Sequence, residues 1–443
     1  MSRRPIACLA ATLVLLGLCH DVLVRAQTST ANIDATFQKF WEARTSSQAA
    51  KVVAELAATG VDFDEALRRL KTGRPYTRQK SGVFTLSNQT EDGTVHYYAV
   101  SVPAGYDPTR RYQVRFQLHG GVGGRTDNLP RRPAEVGRLA GAEQIYVLPY
   151  AWADAPWWSD DQILNFRAIL DTLTRIYNID ENHVVVAGVS DGGSGAYFVA
   201  MRDTTPFASF LPLNGFILVL ANAYLANSDR LFPNNLRNKP LFVVNGGRDP
   251  LYPTKVVEPS VQHLKKSGVE IDYHPQPDAG HDTSWWPEVK DRFESFVRDH
   301  PRNPLPDTLT WEIGPGDANT RAHWLVIDRL GAQPGDAREL PDVNRVTPTT
   351  TLFFRKMASG RVDLVRKGNT IDAVTKGVAA FRLLLSPDQF DFTQPLKVVA
   401  NGRVVFDDRV QPSVATLLKW AARDNDRTML FGAELHVDLA APR

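Results

Sequence analysis

The sequence predicts an α/β fold: a mostly parallel sheet with helices on both faces, preceded by a short helical segment and followed by a mainly β C-terminal part. Three observations predict it. From Gly82 onward, short β-branched runs alternate with amphipathic stretches of helical period, the pattern of a sheet covered on both sides. From Asn32 to about Lys71 the apolar spacing is helical. After the break Pro301-Arg302-Asn303-Pro304-Leu305-Pro306 the apolar runs are strand-like and turn-bounded. At 443 residues and 43% hydrophobic content the chain has ample material for a sizeable core.

The N-terminus reads as a leader. Met1-Ser2-Arg3-Arg4 precedes an apolar stretch from Ile6 to Leu18, and Val24-Arg25-Ala26 offers the small residues of a cleavage site, so residues 1–26 are expected to be a signal peptide and the protein to be secreted or periplasmic. The apolar run is well short of the roughly 20 residues a bilayer span needs. Leu18 before Cys19 is too bulky for a lipidation site. Both cysteines, Cys8 and Cys19, fall in the leader, which leaves a mature chain with no disulfide and no thiolate. Cleavage also removes Arg3, Arg4 and Arg25 against Asp21, taking the formal charge from +2 to zero. A neutral chain without a basic run argues against nucleic acid or an anionic membrane as partner.

From Asn32 to Lys71, Ile33, Phe37, Phe40 and Trp41 share one helical face, and Asp62 with Glu65 forms a capping-box pattern before Phe63, Leu67 and Leu70. Residues 27–80 therefore read as a helical segment. Val83 to Leu86, Val95 to Val102 and Tyr112 to Leu118 read as an opening antiparallel meander. Strands at Ile145 to Leu148, His183 to Ala187, Phe210 to Phe216, Leu241 to Asn245 and Val269 to Tyr273 then alternate with helices, of which Ile163 to Tyr177 is capped by Ser159 or Asp160. Residues 81–303 form the expected α/β domain. Residues 304–443 form the expected β-domain, a sandwich or similar layer with one short helix near Val414 to Arg423.

Chemistry concentrates at Gly188-Val189-Ser190-Asp191-Gly192-Gly193, between the apolar strand ending at Ala187 and a helix opening at Ala196. G-x-S-x-G between strand and helix is the pattern of a nucleophile elbow, a turn so sharp that the neighbours of the Ser must be small. A Ser hydroxyl needs a His to take its proton and a carboxylate to hold that His in one tautomer. Asp249, in Asn245-Gly246-Gly247-Arg248-Asp249-Pro250, and His281, in Ala279-Gly280-His281-Asp282, follow later strands, 59 and then 32 residues on. Asp278 is the rival acid. For the developing oxyanion, one donor is the backbone N–H of Asp191; the other falls in Leu118-His119-Gly120-Gly121, with Gly121 favoured and Gly120 the alternative. His119 reads as ordering that loop. The remaining histidines, such as His96, His183 and His323, show no ligand spacing, and neither a metal nor a cofactor is expected.

Val102-Pro103 to Gly105-Tyr106, Leu118-His119-Gly120-Gly121, Gly188 to Gly193, Gly247-Arg248-Asp249 and Gly280-His281, in that order, resemble the α/β-hydrolase superfamily. Within it they look like the secreted serine esterases, including feruloyl and acetyl xylan esterases and the polyhydroxybutyrate depolymerase group, related to prolyl-oligopeptidase-like catalytic domains. The likeness covers residues 82 to 300. It implies Ser190 as nucleophile, His281 as general base and acid, Asp249 as its orienting carboxylate, and Gly121 and Asp191 as oxyanion donors. Trp157, Trp158 and Trp285, in loops expected to border the site, are candidates for binding an aryl or sugar-linked substrate. The expected partner is an ester, with polymeric or carbohydrate-linked esters in view; a serine peptidase of the prolyl-oligopeptidase type and a non-catalytic binding protein of the same fold are the alternatives.

Overall fold

The apolar stripes of the N-terminal helices close on a helix from the far end of the chain. The computed structural model describes residues 30–127, 136–222, 231–332 and 359–439, so the expected leader with Cys8 and Cys19 lies outside the described residues. The chain divides into two compact units, one of residues 1–74 with 412–430, the other of 75–411 with 431–443. In the first, helices over 30–42 (α1), Ser46–Ala58 (α2) and Phe63–Thr72 (α3) share a core with Val414–Asp424 (α8), built from Phe37, Phe40, Leu56, Leu70, Leu417 and Leu418. Half of the capping box forms. Asp62 accepts the Glu65 N–H at 2.7 Å, while the Glu65 carboxylate turns instead to Arg68 and Arg69. The division therefore does not run at the expected boundary of residues 303 and 304: an amphipathic helix cannot bury its stripe alone, and α8 finds its apolar partner in the N-terminal helices.

The second unit is organised around an eight-stranded sheet. Its strands are β1 (Gly82–Gln89), β2 (Val95–Val102), β3 (Tyr112–Leu118), β4 (Ile145–Pro149), β5 (Ile179–Val189), β6 (Ser209–Leu213), β7 (Leu241–Gly246) and β8 (Ile271–Gln276), in the order β1-β2-β4-β3-β5-β6-β7-β8. The sheet is mixed. β1 and β2 pair antiparallel with each other, and β2 with β4, while β3 to β8 run parallel. The expected three-strand meander does not close, because β4 takes the edge of β2 that β3 would have taken.

Alternation along β5 shows both faces covered. Val184 and Val186 join the core of Phe116, Phe166 and Phe198, to which α4 (Asp160–Ile176), α5 (Asp191–Arg202) and α6 (Thr254–Lys266) contribute. Val185 and Ala187 face the opposite core, with Trp286, Phe293 and Phe296 of α7 (Trp286–Asp299). A strand buried on both faces reads as one apolar run, as this one does.

Residues 308–408 and 433–438 supply two further sheets to the same unit. One is β10-β11-β14-β17 (Arg321–Ala322, Leu325–Leu330, Val378–Leu385, Ala433–Asp438); the other is β16-β15-β13-β12-β9 (Arg403–Asp408, Leu396–Ala400, Thr370–Lys376, Gly360–Lys367, Thr308–Ile313). They are fastened to the larger sheet by polar groups. Arg202, at the end of α5, meets Asp317 through two hydrogen bonds of 2.8 Å, and the Asn235 amide exchanges bonds of 2.9 and 2.8 Å with the backbone of Glu312. Arg202 and Asp317 are almost wholly withdrawn from water, at 4% and 8% side-chain exposure. Removing one partner of such a pair leaves a buried charge. Asp317→Ala should therefore lower unfolding stability by about 3 kcal/mol in urea titration, and an unchanged midpoint would deny the pair this role.

Candidate active site

Ser190 stands where β5 ends and α5 begins, with φ 57° and ψ −118°. A residue with a side chain adopts that backbone only when its surroundings hold it there. They do so here: its N–H donates to the Leu213 carbonyl at 2.9 Å, and its own carbonyl accepts the Ser194 N–H at 3.0 Å. The turn is closed so tightly that a Cβ on Gly192 would lie 2.3 Å from the Leu118 carbonyl oxygen. The Ser190 side chain is left half-buried at the carboxyl end of the parallel strands.

Two later strands deliver its partners. Asp249 lies just after β7 and His281 just after β8, and the His281 ring spans the gap, with Nε2 2.8 Å from Ser190 Oγ and Nδ1 2.7 Å from Asp249 Oδ2. Asp249 is buried, and its other oxygen accepts the N–H groups of Leu251 and Tyr252 at 2.8 and 2.9 Å. A carboxylate can only accept, so Nδ1 carries the imidazole proton and the Nε2 lone pair faces the hydroxyl. Ser190, Asp249 and His281 are thus brought together as the sequence expects. Asp278 is not; it pairs with Arg248 at 2.7 Å, with both side chains exposed.

An elbow after one parallel strand, an acid after a second and a histidine after a third, in the chain order Ser, Asp, His, is a known arrangement. The sheet has the α/β-hydrolase fold. In this fold the loop after β3 lies against Ser190: a Cβ on Gly120 would come 2.9 Å from the Ser190 Cβ. Gly121 follows at φ 71° and ψ 38°, and its N–H has no protein acceptor among the described residues. Asp191 is the first residue of α5, where backbone N–H groups lack intrahelical acceptors. His119 orders the loop. Its Nδ1 sits 2.9 Å from the Gly120 carbonyl and its Nε2 accepts the Ala151 N–H at 3.1 Å, while burial pushes its pKa down to about 4.

Two of the three tryptophans, Trp157 and Trp285, are corrected by the structure. Trp157 is fully buried; its indole N–H donates to the His119 carbonyl at 2.8 Å and its ring meets His119 and Phe166, so it props the loop from beneath and offers no face to a ligand. Trp285 is buried in the core beside α7, at 3% exposure. Trp158 is half-buried and packs on the main core. A large apolar ring in a loop that runs over a core is drawn into it, since burying it is worth about 2–3 kcal/mol. The aromatic groups beside the catalytic array are Tyr252, edge-on to His281 at 5.7 Å between centroids, and Phe216, 5.7 Å from Tyr252. The sequence reading missed both. Tyr252 lies only three residues past Asp249, and that proximity was the available signal. Asn214, also missed, donates from Nδ2 to the Asp282 carbonyl at 2.6 Å and so steadies the loop that carries His281.

No family model matches the sequence, and no curated protein matches it. Among solved structures, a thermostable esterase is 20% identical over 50% of this chain and 63% of its own, with a TM-score of 0.40. A ferulic acid esterase is 19% identical over 49% of this chain and 98% of its own, at 0.39. The dipeptidyl peptidase 4 of Porphyromonas gingivalis is 16% identical over 50% of this chain and 36% of its own, at 0.38. The chain thus spans less than two thirds of the first of these esterases, and nothing about activity follows from likenesses at that level.

His119 makes stability depend on acid. The unfolded side chain protonates near 6.5 and the folded one only near 4, so between those values the unfolded state binds the extra proton. The contribution is complete above pH 6.5 and is lost as pH falls toward 4, by up to about 3 kcal/mol. Urea titrations at pH 7 and 4.5 should show a larger acid loss in the parent than in His119→Gln. Gly120→Ala should fold yet cut fluorophosphonate labelling of Ser190 by about 100-fold, since the new methyl must displace the loop or the nucleophile; labelling at the parental rate would show that the loop has room to spare.

Proposed function

We propose that the protein is a serine hydrolase of carboxylic esters. The observation that carries this reading is the unbroken chain from buried Asp249 through His281 to Ser190, at 2.7 and 2.8 Å. Ser190 Oγ attacks the ester carbonyl carbon while its proton passes to His281 Nε2. The carbonyl oxygen takes up the negative charge beside the N–H groups of Gly121 and Asp191. The C–O bond to the alcohol then breaks, and the alcohol leaves with the proton from Nε2. Water, deprotonated by the same nitrogen, attacks the acyl-Ser190 carbonyl; the acid departs and Ser190 regains its proton. Asp249 stays ionised and balances the imidazolium at each transfer.

Tyr252 and Phe216, with Leu251 exposed at 58% beside them, give the site an aromatic and apolar wall next to His281. Such a wall suits the apolar part of an ester, and esters attached to a polymer or sugar fall within the class. The leader expected at residues 1–26 supports a secreted or periplasmic location for such an enzyme.

Ser190→Ala should abolish hydrolysis of short p-nitrophenyl esters, and a fluorophosphonate probe should label the parent at Ser190 alone. Turnover that survives the substitution, or a parent that takes no label, would remove this function. Peptide amides run in the same panel should be cleaved far more slowly than the esters; faster amide cleavage would make the enzyme a peptidase.

A further inference from the structure

The residue after the nucleophile carries a second function in its side chain. Asp191 Oδ2 accepts the backbone N–H of Val122 at 2.8 Å, joining the start of α5 to a loop 69 residues earlier in the chain. Val122 opens the 3-10 turn Val122–Gly124 directly after Gly121. Its side chain is packed in the main core, at 1% exposure, so the turn is pinned from both its apolar and its polar side. No side chain of the loop itself caps this turn. The Asp191 carboxylate supplies from α5 what a local cap supplies elsewhere.

The first turn of α5 accommodates an acid, but for the reaction a negative charge here carries a cost. The Asp191 carboxylate sits beside the elbow, where the reaction develops negative charge on the carbonyl oxygen, and like charges at short range repel. A neutral side chain would avoid that repulsion. From this geometry we propose that the Asp191 carboxylate is a positioning group for the oxyanion site, holding Val122 so that the N–H of Gly121 stays aimed at the carbonyl oxygen that Ser190 attacks. The two donors are then fixed relative to each other: one is the backbone N–H of Asp191, and the other is set by the same residue's side chain. Preorganised donors stabilise the transition state more than the bound ester, so the device acts on kcat rather than on KM.

The inference rests on the esterase reading, and the test separates the two. In p-nitrophenyl ester hydrolysis, Asp191→Ala should lower kcat by about 10- to 100-fold with KM within about twofold. Asp191→Asn, which keeps an acceptor oxygen at the same reach, should recover all but about threefold of kcat. Asp191→Ser keeps a polar group at the helix start but cannot reach Val122, and should match the Ala variant even if that variant folds poorly. Inactivation by a phosphonate, which mimics the tetrahedral state, should slow in proportion to kcat across the series. Turnover lost in Ser190→Ala but kept in Asp191→Ala overturns this role alone, as do equal losses in the Asn and Ala variants or a loss confined to KM. Turnover that survives Ser190→Ala overturns the esterase reading and this role together.

Discussion

The backbone of Ser190, bent into a left-handed conformation at the end of β5, is the constraint on which the site depends. A residue with a side chain enters that region at a cost of about 1–3 kcal/mol, and the neighbourhood repays it by close contact: Leu213 receives its N–H, and Gly192 lies where nothing larger fits against Leu118. Without the bend, the hydroxyl would follow the strand's alternation into one core or the other. With it, Ser190 stands at the carboxyl end of the parallel strands, where the loops after β7 and β8 also end.

Those loops are fixed to one another before they are fixed to the nucleophile. Arg248 N–H donates to the Ala279 carbonyl at 2.9 Å and Gly247 N–H to the Gln276 carbonyl at 2.7 Å, so the loop of Asp249 and the loop of His281 are joined backbone to backbone. Asn214, after β6, holds the loop of His281 from the other side through Asp282. The loop after β3 is likewise held by groups from three separate stretches: Trp157 beneath it, Ala151 against His119, and Asp191 against Val122. Rigid support of this kind is what a site needs when its donors must already be in place as charge develops.

The remaining sheets extend the same scaffold. Arg202 lies at the far end of the helix that begins at Asp191, and its pairing with Asp317 ties that helix to the strands of residues 308–438. α5 is therefore fastened at both ends, by the turn at Ser190 and by a buried ion pair. In the helical unit, α8 completes a core that α1 to α3 leave open.

By itself the sequence determined the strands of the eight-stranded sheet, the elbow and the three side chains of the array. Each rests on local chemistry: β-branched runs for buried strands, glycines where the chain must turn sharply, and an acid and a histidine placed after later strands. The capping residue Asp62 and the ordering role of His119 were legible for the same reason. Only tertiary structure decided the rest, because the sequence records composition but not which apolar surface meets which. Trp157 and Trp285 look like binding faces in a loop and are core residues once the loop folds over its neighbours. α8 looks like an interruption among strands and is the fourth wall of a helical core, starting 342 residues after Thr72, where α3 ends. The bond from Asp191 to Val122 could not be read at all, since a carboxylate's partner is set by where the fold puts it.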